Sequence, residues 1–145
     1  MSTRREITEA VGLELRRMIA GVVLFNTAMA ENLGMSPVDS QVLHLLQLEG
    51  GPVTAGRLGE LARLPSSTTT RVIDRLEARG YVHRVRDTGD RRRVLVYPDE
   101  QRTRELEERY AEQGAVLGKA LDGLSVAELK AAQRFLARLN QVGSV

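Results

Sequence analysis

Thr54 to Val96 reads TAGRLGELARLPSSTTTRVIDRLEARGYVHRVRDTGDRRRVLV, and the reading of this stretch decides the fold. Thr54 can cap a short helix that carries Leu58, Leu61 and Ala62. After Leu64-Pro65 a second helix begins, with Val72, Ile73 and Leu76 as its inward face and Gly80 as its stop. Pro65 has no side-chain oxygen, so Ser66 or Ser67 is expected to cap this helix. Tyr81–Val85 and Val94–Tyr97 are short β-branched runs, separated by the charged, turn-forming Arg86–Arg93, and they read as a hairpin. Two helices joined by a tight turn and followed at once by a charged hairpin form a winged helix-turn-helix.

The pattern extends outward in both directions. Ile7, Val11, Leu15, Met18, Val22, Phe25 and Met29 recur at steps of three or four, which predicts one long amphipathic helix ending near Gly34. Ser36 then caps a helix with Pro37 in its first position, Asp39 at its positive end and Val38, Val42, Leu45 and Leu46 as its apolar face. Beyond the hairpin, Pro98-Asp99-Glu100 opens a long helix bearing Leu106, Tyr110, Leu117, Leu121 and Leu124. Ser125-Val126-Ala127-Glu128 is a capping box for a last helix with Leu129, Ala132, Phe135, Leu136 and Leu139 in its stripe. The expected fold is mainly α with a small β-hairpin wing. A winged helix-turn-helix DNA-binding domain is expected over 35–98, with helical dimerisation regions over 1–34 and 99–145. A chain of 145 residues cannot bury three long apolar stripes alone, which implies a two-fold partner.

Composition narrows the function. There is no cysteine, which excludes disulfides, thiolate metal sites and thiol redox switching, and the two histidines, His44 and His83, are far apart in sequence. No metal, cofactor or catalytic set is expected: no nucleophile–base–orienter arrangement or phosphate-cradling glycine loop is present. No segment approaches the ~20 apolar residues of a membrane span and no signal-peptide pattern opens the chain, so a cytoplasmic protein is expected. Net charge is only +2, but its distribution is uneven. Between residues 63 and 93 nine arginines face four acids; between 99 and 112 six acids face three arginines. A locally basic stretch beside an acidic one gives the directional field a nucleic-acid reader needs.

Within the basic stretch, Ser66, Ser67, Thr68, Thr70 and Arg71 crowd the first two turns of the second helix of the pair. A core-packing role does not ask for small polar groups there, whereas close approach to base edges does, with Arg to meet guanine or phosphate. Arg75 is a further candidate for the DNA backbone, or for pairing with Glu77 and Asp74. At the hairpin tip, Arg91 and Arg92 are the candidates for a groove. Arg93 is set aside, because side chains alternate along a strand and the three cannot all face one way. Asp87 and Asp90 would repel phosphate, so their expected role is to shape the turn. The competing reading is a winged-helix module that binds protein without DNA, which has no use for arginines at both groove-facing places.

The run Pro65-Ser66-Ser67-Thr68-Thr69-Thr70-Arg71-Val72-Ile73-Asp74-Arg75-Leu76-Glu77, then Gly80-Tyr81-Val82, then Asp87-Thr88-Gly89-Asp90-Arg91-Arg92-Arg93-Val94-Leu95-Val96, resembles the MarR (multiple antibiotic resistance regulator) family. The flanking helices agree in order and length. The start of the fifth helix, Pro98-Asp99-Glu100-Gln101, departs from the family's usual pattern. The resemblance implies a transcription regulator, typically a ligand-responsive repressor, that binds a pseudo-palindromic operator in double-stranded DNA as a homodimer. It implies that the first and last two helices interlock subunits, that the fourth helix reads the major groove and that a wing arginine enters the minor groove. It also implies a small aromatic or phenolic effector in a cleft lined by the first, second and fifth helices, where Phe25, Asn26, Met29, His44 and Tyr110 are the candidates.

Overall fold

The computed structural model describes residues 1–143. It consists of two compact units, Met1–Thr103 and Arg104–Val145. The element order is α1 (Arg4–Asn32), α2 (Pro37–Leu48), β1 (Val53–Thr54), α3 (Ala55–Ala62), α4 (Ser66–Ala78), β2 (Val82–Arg86), β3 (Val94–Pro98), α5 (Glu100–Asp122) and α6 (Val126–Val142).

Helix ends follow local chemistry. Thr3 and Glu6 close a capping box on α1. At its other end Gly34, at φ 64°, lets the Met35 N–H reach back to the Ala30 carbonyl at 2.8 Å. Ser36 caps α2 by accepting the Asp39 N–H at 3.1 Å, and Thr54 caps α3 by accepting the Arg57 N–H, also at 3.1 Å. Gly80, at φ 76°, ends α4 as Gly34 ends α1, with the Tyr81 N–H on the Leu76 carbonyl at 2.9 Å. The capping box expected at α6 is present, formed by Ser125 and Glu128.

The core of the first unit is aliphatic. Val42 and Leu46 of α2, Leu58 of α3, Val72, Ile73 and Leu76 of α4, and Val82 and Val96 of the strands are fully enclosed. On α2 the inward face differs from the expected one: Val38 is exposed, whereas Asp39 and Leu43 are buried. Asp39 turns inward because a cation meets it there, as described below. The hairpin is likewise part of something larger. Val53 and Thr54 pair antiparallel with Val96 and Leu95, so the sheet has three strands in the order β1-β3-β2. Two residues are too short a run to show a period, which is why β1 has no sequence signal. β2 pairs with β3 in antiparallel register, Arg84 opposite Val96 and Arg86 opposite Val94.

In the second unit α6 buries no side chain among the described residues, and Phe135, Leu136 and Leu139 remain exposed, as do Leu117 and Leu121 on α5. The outer stripe of α1, with Ile7, Val11, Met18 and Val22, is exposed too. No single described helix is long and apolar enough to cross a membrane.

Candidate nucleic-acid interface

The pairing of α3 with α4 is set by a glycine. A Cβ on Gly59 would lie 2.9 Å from Thr69 Oγ1 and 3.4 Å from the Leu64 carbonyl oxygen. Thr69 is buried, and its hydroxyl donates to the Pro65 carbonyl at 3.0 Å. Thr69 completes an i, i+3, i+4, i+7 face with Val72, Ile73 and Leu76, a spacing that marks it as an inward residue. Arg63, in the left-handed region at φ 54°, ends α3 and turns the chain toward α4.

This turn presents the start of α4 outward. Ser66, Ser67, Thr70 and Arg71 are exposed and Thr68 is half-buried. The expected cap from Ser66 or Ser67 does not form: Pro65 itself holds the N-cap position in extended conformation, with no side-chain bond. Ser66 is already the first helical residue, so its hydroxyl lies past the place from which it could reach the second or third N–H. The first amide groups of α4 therefore keep the unpaired N–H character that favours anions. The Thr70 hydroxyl bonds the Ser66 carbonyl at 3.0 Å.

The structure sorts the arginines of the basic stretch. Arg75 does not pair with Glu77 or Asp74; its Nε and Nη2 grip both carboxylate oxygens of Asp39, at 2.9 and 2.7 Å. The bidentate bond ties α4 to α2, and it holds the Asp39 carboxyl below the usual carboxylate range. Arg79 donates to the carbonyls of Gly34 and Leu33 at 2.7 and 2.6 Å, filling the end of α1, and its guanidinium lies 5.6 Å from the centre of the Tyr81 ring. Arg84 bonds Glu77 and Asp74. Arg86 donates to the Arg91 carbonyl at 3.5 Å, and Arg93 lies 4.0 Å from Asp87. Among the described residues, the guanidinium groups of Arg71, Arg91 and Arg92 make no hydrogen bond or ion pair, and all three are exposed.

At the wing tip the two acids hold the backbone. Asp87 Oδ1 accepts the Gly89 N–H and Asp90 Oδ1 accepts the Arg92 N–H, each at 3.0 Å and each two residues on, the geometry of an Asx turn. The Arg93 N–H bonds the Asp90 carbonyl at 3.0 Å and the Asp87 N–H bonds the Arg93 carbonyl at 2.9 Å, closing the loop. Arg91 and Arg92 sit in this turn and not in a strand, so strand alternation does not govern where they point.

At the start of α5, the departure from the family pattern has a structural role. Asp99 caps the helix through the Arg102 N–H at 2.9 Å and lies 2.7 Å from His83 Nε2 of β2; the Arg102 amide first, and then His83, hold its carboxyl low. Of the proposed cleft residues, Phe25 and Asn26 are half-buried on α1, Met29 is packed in the core and His44 is exposed on α2. Tyr110 lies in the second unit, half-buried, and burial pushes its hydroxyl pKa up. Among the described residues no group of three or more His, Asp or Glu is placed to hold a metal ion.

Comparison with known proteins agrees with this architecture. A family model described as MarR family matches residues 33–93. The uncharacterized HTH-type transcriptional regulator YcgE of Bacillus subtilis (strain 168) is 43% identical over 101 residues, 68% of this chain and 65% of that protein, so the chain spans just under two thirds of that relative. A MarR family protein from Bacillus stearothermophilus is 30% identical over all of both chains, with a TM-score of 0.70. A probable transcriptional regulator from Pseudomonas aeruginosa is 31% identical, covering 89% of this chain and 96% of that one, with a TM-score of 0.53.

Proposed function

The chain belongs to the MarR family of transcriptional regulators, and from that premise we propose that it grips double-stranded DNA as a homodimer, through the start of α4 and the tip of the wing. One observation carries the reading. Most arginines of the basic stretch are engaged in holding the fold, and the three whose guanidinium groups have no partner among the described residues, Arg71, Arg91 and Arg92, stand at the two places where a winged helix meets a duplex. Ser66, Ser67, Thr68 and Thr70 give α4 a low polar face for the major groove, with Arg71 as its guanine or phosphate contact. Arg91 and Arg92 reach the phosphate backbone and the minor groove. Arg75 is assigned to the bond with Asp39 and not to DNA. Residues 35–98 form the DNA-binding part.

The homodimer is supported by apolar surface that the chain leaves open: Ile7, Val11, Met18 and Val22 on α1, and Phe135 and Leu139 on α6. Residues 1–34 and 99–145 are assigned to the subunit interface, which sets two copies of α4 about 34 Å apart, one per half of a pseudo-palindrome. A repressor released by a small aromatic or phenolic effector is the form of regulation we favour, with Phe25 and Asn26, half-buried on α1, as its candidate contacts. Met29 is core and His44 is surface, and neither is retained. The protein-only module is the weaker reading, because it leaves three unpaired surface arginines without a purpose.

The test is affinity for a duplex selected by the protein from genomic fragments, measured as a function of salt. Log affinity should fall linearly with log salt, and Arg91→Ala/Arg92→Ala should flatten that slope while leaving the melting curve unchanged. A salt-independent interaction, or an unchanged slope in the double variant, would remove the wing from the mechanism.

A further inference from the structure

Asp74 and Glu77 lie on the helix assigned to the major groove, where each carboxylate carries the same sign as phosphate. One residue accounts for them. From β2, the Arg84 guanidinium donates to Glu77 Oε1 at 2.9 Å, to Asp74 Oδ1 at 2.6 Å and to the Thr70 carbonyl at 3.4 Å. The Arg84 backbone N–H also donates to Glu77 Oε2 at 2.8 Å, and this bond is the main cause of Glu77 lying below the ordinary carboxylate range. Positions 70, 74 and 77 share one face of α4 by their spacing. The bonds therefore pin the strand by its main chain as well as by a side chain. The Arg84 side chain is 26% exposed, against 60% for Asp74 and 40% for Glu77, so the cation is the enclosed partner and the acids form its rim. β2 ends two residues beyond Arg84, at Arg86, and the tip with Arg91 and Arg92 follows.

We infer that Arg84, Asp74 and Glu77 form a latch that positions the wing arginines against α4, so that two acids on the recognition helix strengthen DNA binding. The inference rests on the DNA-binding reading above. None of the three needs to touch DNA; Arg84 is a positioning residue.

The latch and simple electrostatics predict opposite signs for one variant. Asp74→Asn/Glu77→Gln removes two negative charges from the recognition helix, and by charge alone it should bind DNA more tightly. The latch requires weaker binding, because neutral amides lose the charge-assisted bonds that hold Arg84. The probe is a duplex that the wild-type full chain selects from a random-sequence pool. If the wild type selects none, the DNA-binding reading fails, and this inference with it. Given a selected duplex, the double variant should lose about tenfold in affinity, within the range found for coupled contacts. Hydroxyl-radical protection should fade where the wing lies and persist where α4 lies. In an Arg91→Ala/Arg92→Ala background, with no wing contact left to position, the same two substitutions should tighten binding. Equal or tighter binding in the wild-type background overturns the latch. Should the double variant melt early, Arg84→Lys replaces it: lysine keeps the charge but has a single nitrogen in place of the planar fork whose separate nitrogens meet Glu77 and Asp74. It should show the same fading at the wing, and an unchanged footprint and affinity would overturn the inference.

Discussion

Gly59→Ala gives a sharp test of how α4 is held. An alanine in the interior of a helix normally stabilises it over glycine by about 0.5–1 kcal/mol. Here the added Cβ would sit 2.9 Å from Thr69 Oγ1, closer than a carbon and an oxygen tolerate. Thr69 cannot swing away, being β-branched, buried and bonded through its hydroxyl to Pro65. The helices must part instead, and overpacking of this kind costs about 1–3 kcal/mol. The two effects combine to a net destabilisation of up to about 2.5 kcal/mol. In a Thr69→Ala background the obstructing oxygen is gone, the Leu64 carbonyl remains at 3.4 Å, and Gly59→Ala should stabilise by its helix preference alone. The same substitution thus changes sign with its neighbour, a coupling of about 1–3 kcal/mol. Urea denaturation of the four proteins at one fixed protein concentration measures it, read as midpoints at constant slope. A Gly59→Ala effect of the same sign and size in both backgrounds would refute the close-packing argument.

Other outcomes follow from particular contacts. Asp39 has a folded pKa below its unfolded value, so its contribution is complete above about pH 4 and fades as pH falls through the folded value; Asp39→Asn should flatten the acid limb of a stability–pH profile, and an unchanged limb would mean that the bond with Arg75 contributes nothing. Asp87→Ala and Asp90→Ala remove negative charge from the wing yet should weaken DNA binding several-fold, because the Asx turns that shape the tip are lost; tighter binding would assign these acids a purely repulsive role. Arg71→Ala should cost about 1–3 kcal/mol of binding and relax preference at one base step, as competition among single-base variants of the selected site would reveal; an equal loss on every variant would reduce it to a phosphate contact. Phe135→Glu should shift sedimentation toward a single subunit, since it sets a charge on the open face of α6, and an unaltered sedimentation coefficient would exclude that face from the interface.

Much of this protein is written locally. The caps at Ser36, Thr54 and Ser125, the stops at Gly34 and Gly80, the periodic stripes and the turn chemistry between two β-branched runs each act over a few residues, and together they specified the winged helix-turn-helix in sequence. The clustering of Ser66, Ser67, Thr70 and Arg71 at the start of one helix was legible for the same reason. What composition could not determine was which arginines are free. Arg75 finds Asp39 across 36 positions, and Arg79 finds the end of α1 across 45 and 46. Asp74 and Glu77, which the sequence offered as partners for Arg75, hold Arg84 instead. The need for glycine at position 59 likewise arises only when Thr69 is folded against it. A local pattern fixes a helix and its faces because its hydrogen bonds span four residues. Whether a surface charge is left for a partner depends on every charge that folding brings within a few ångströms, and only the tertiary structure decides that.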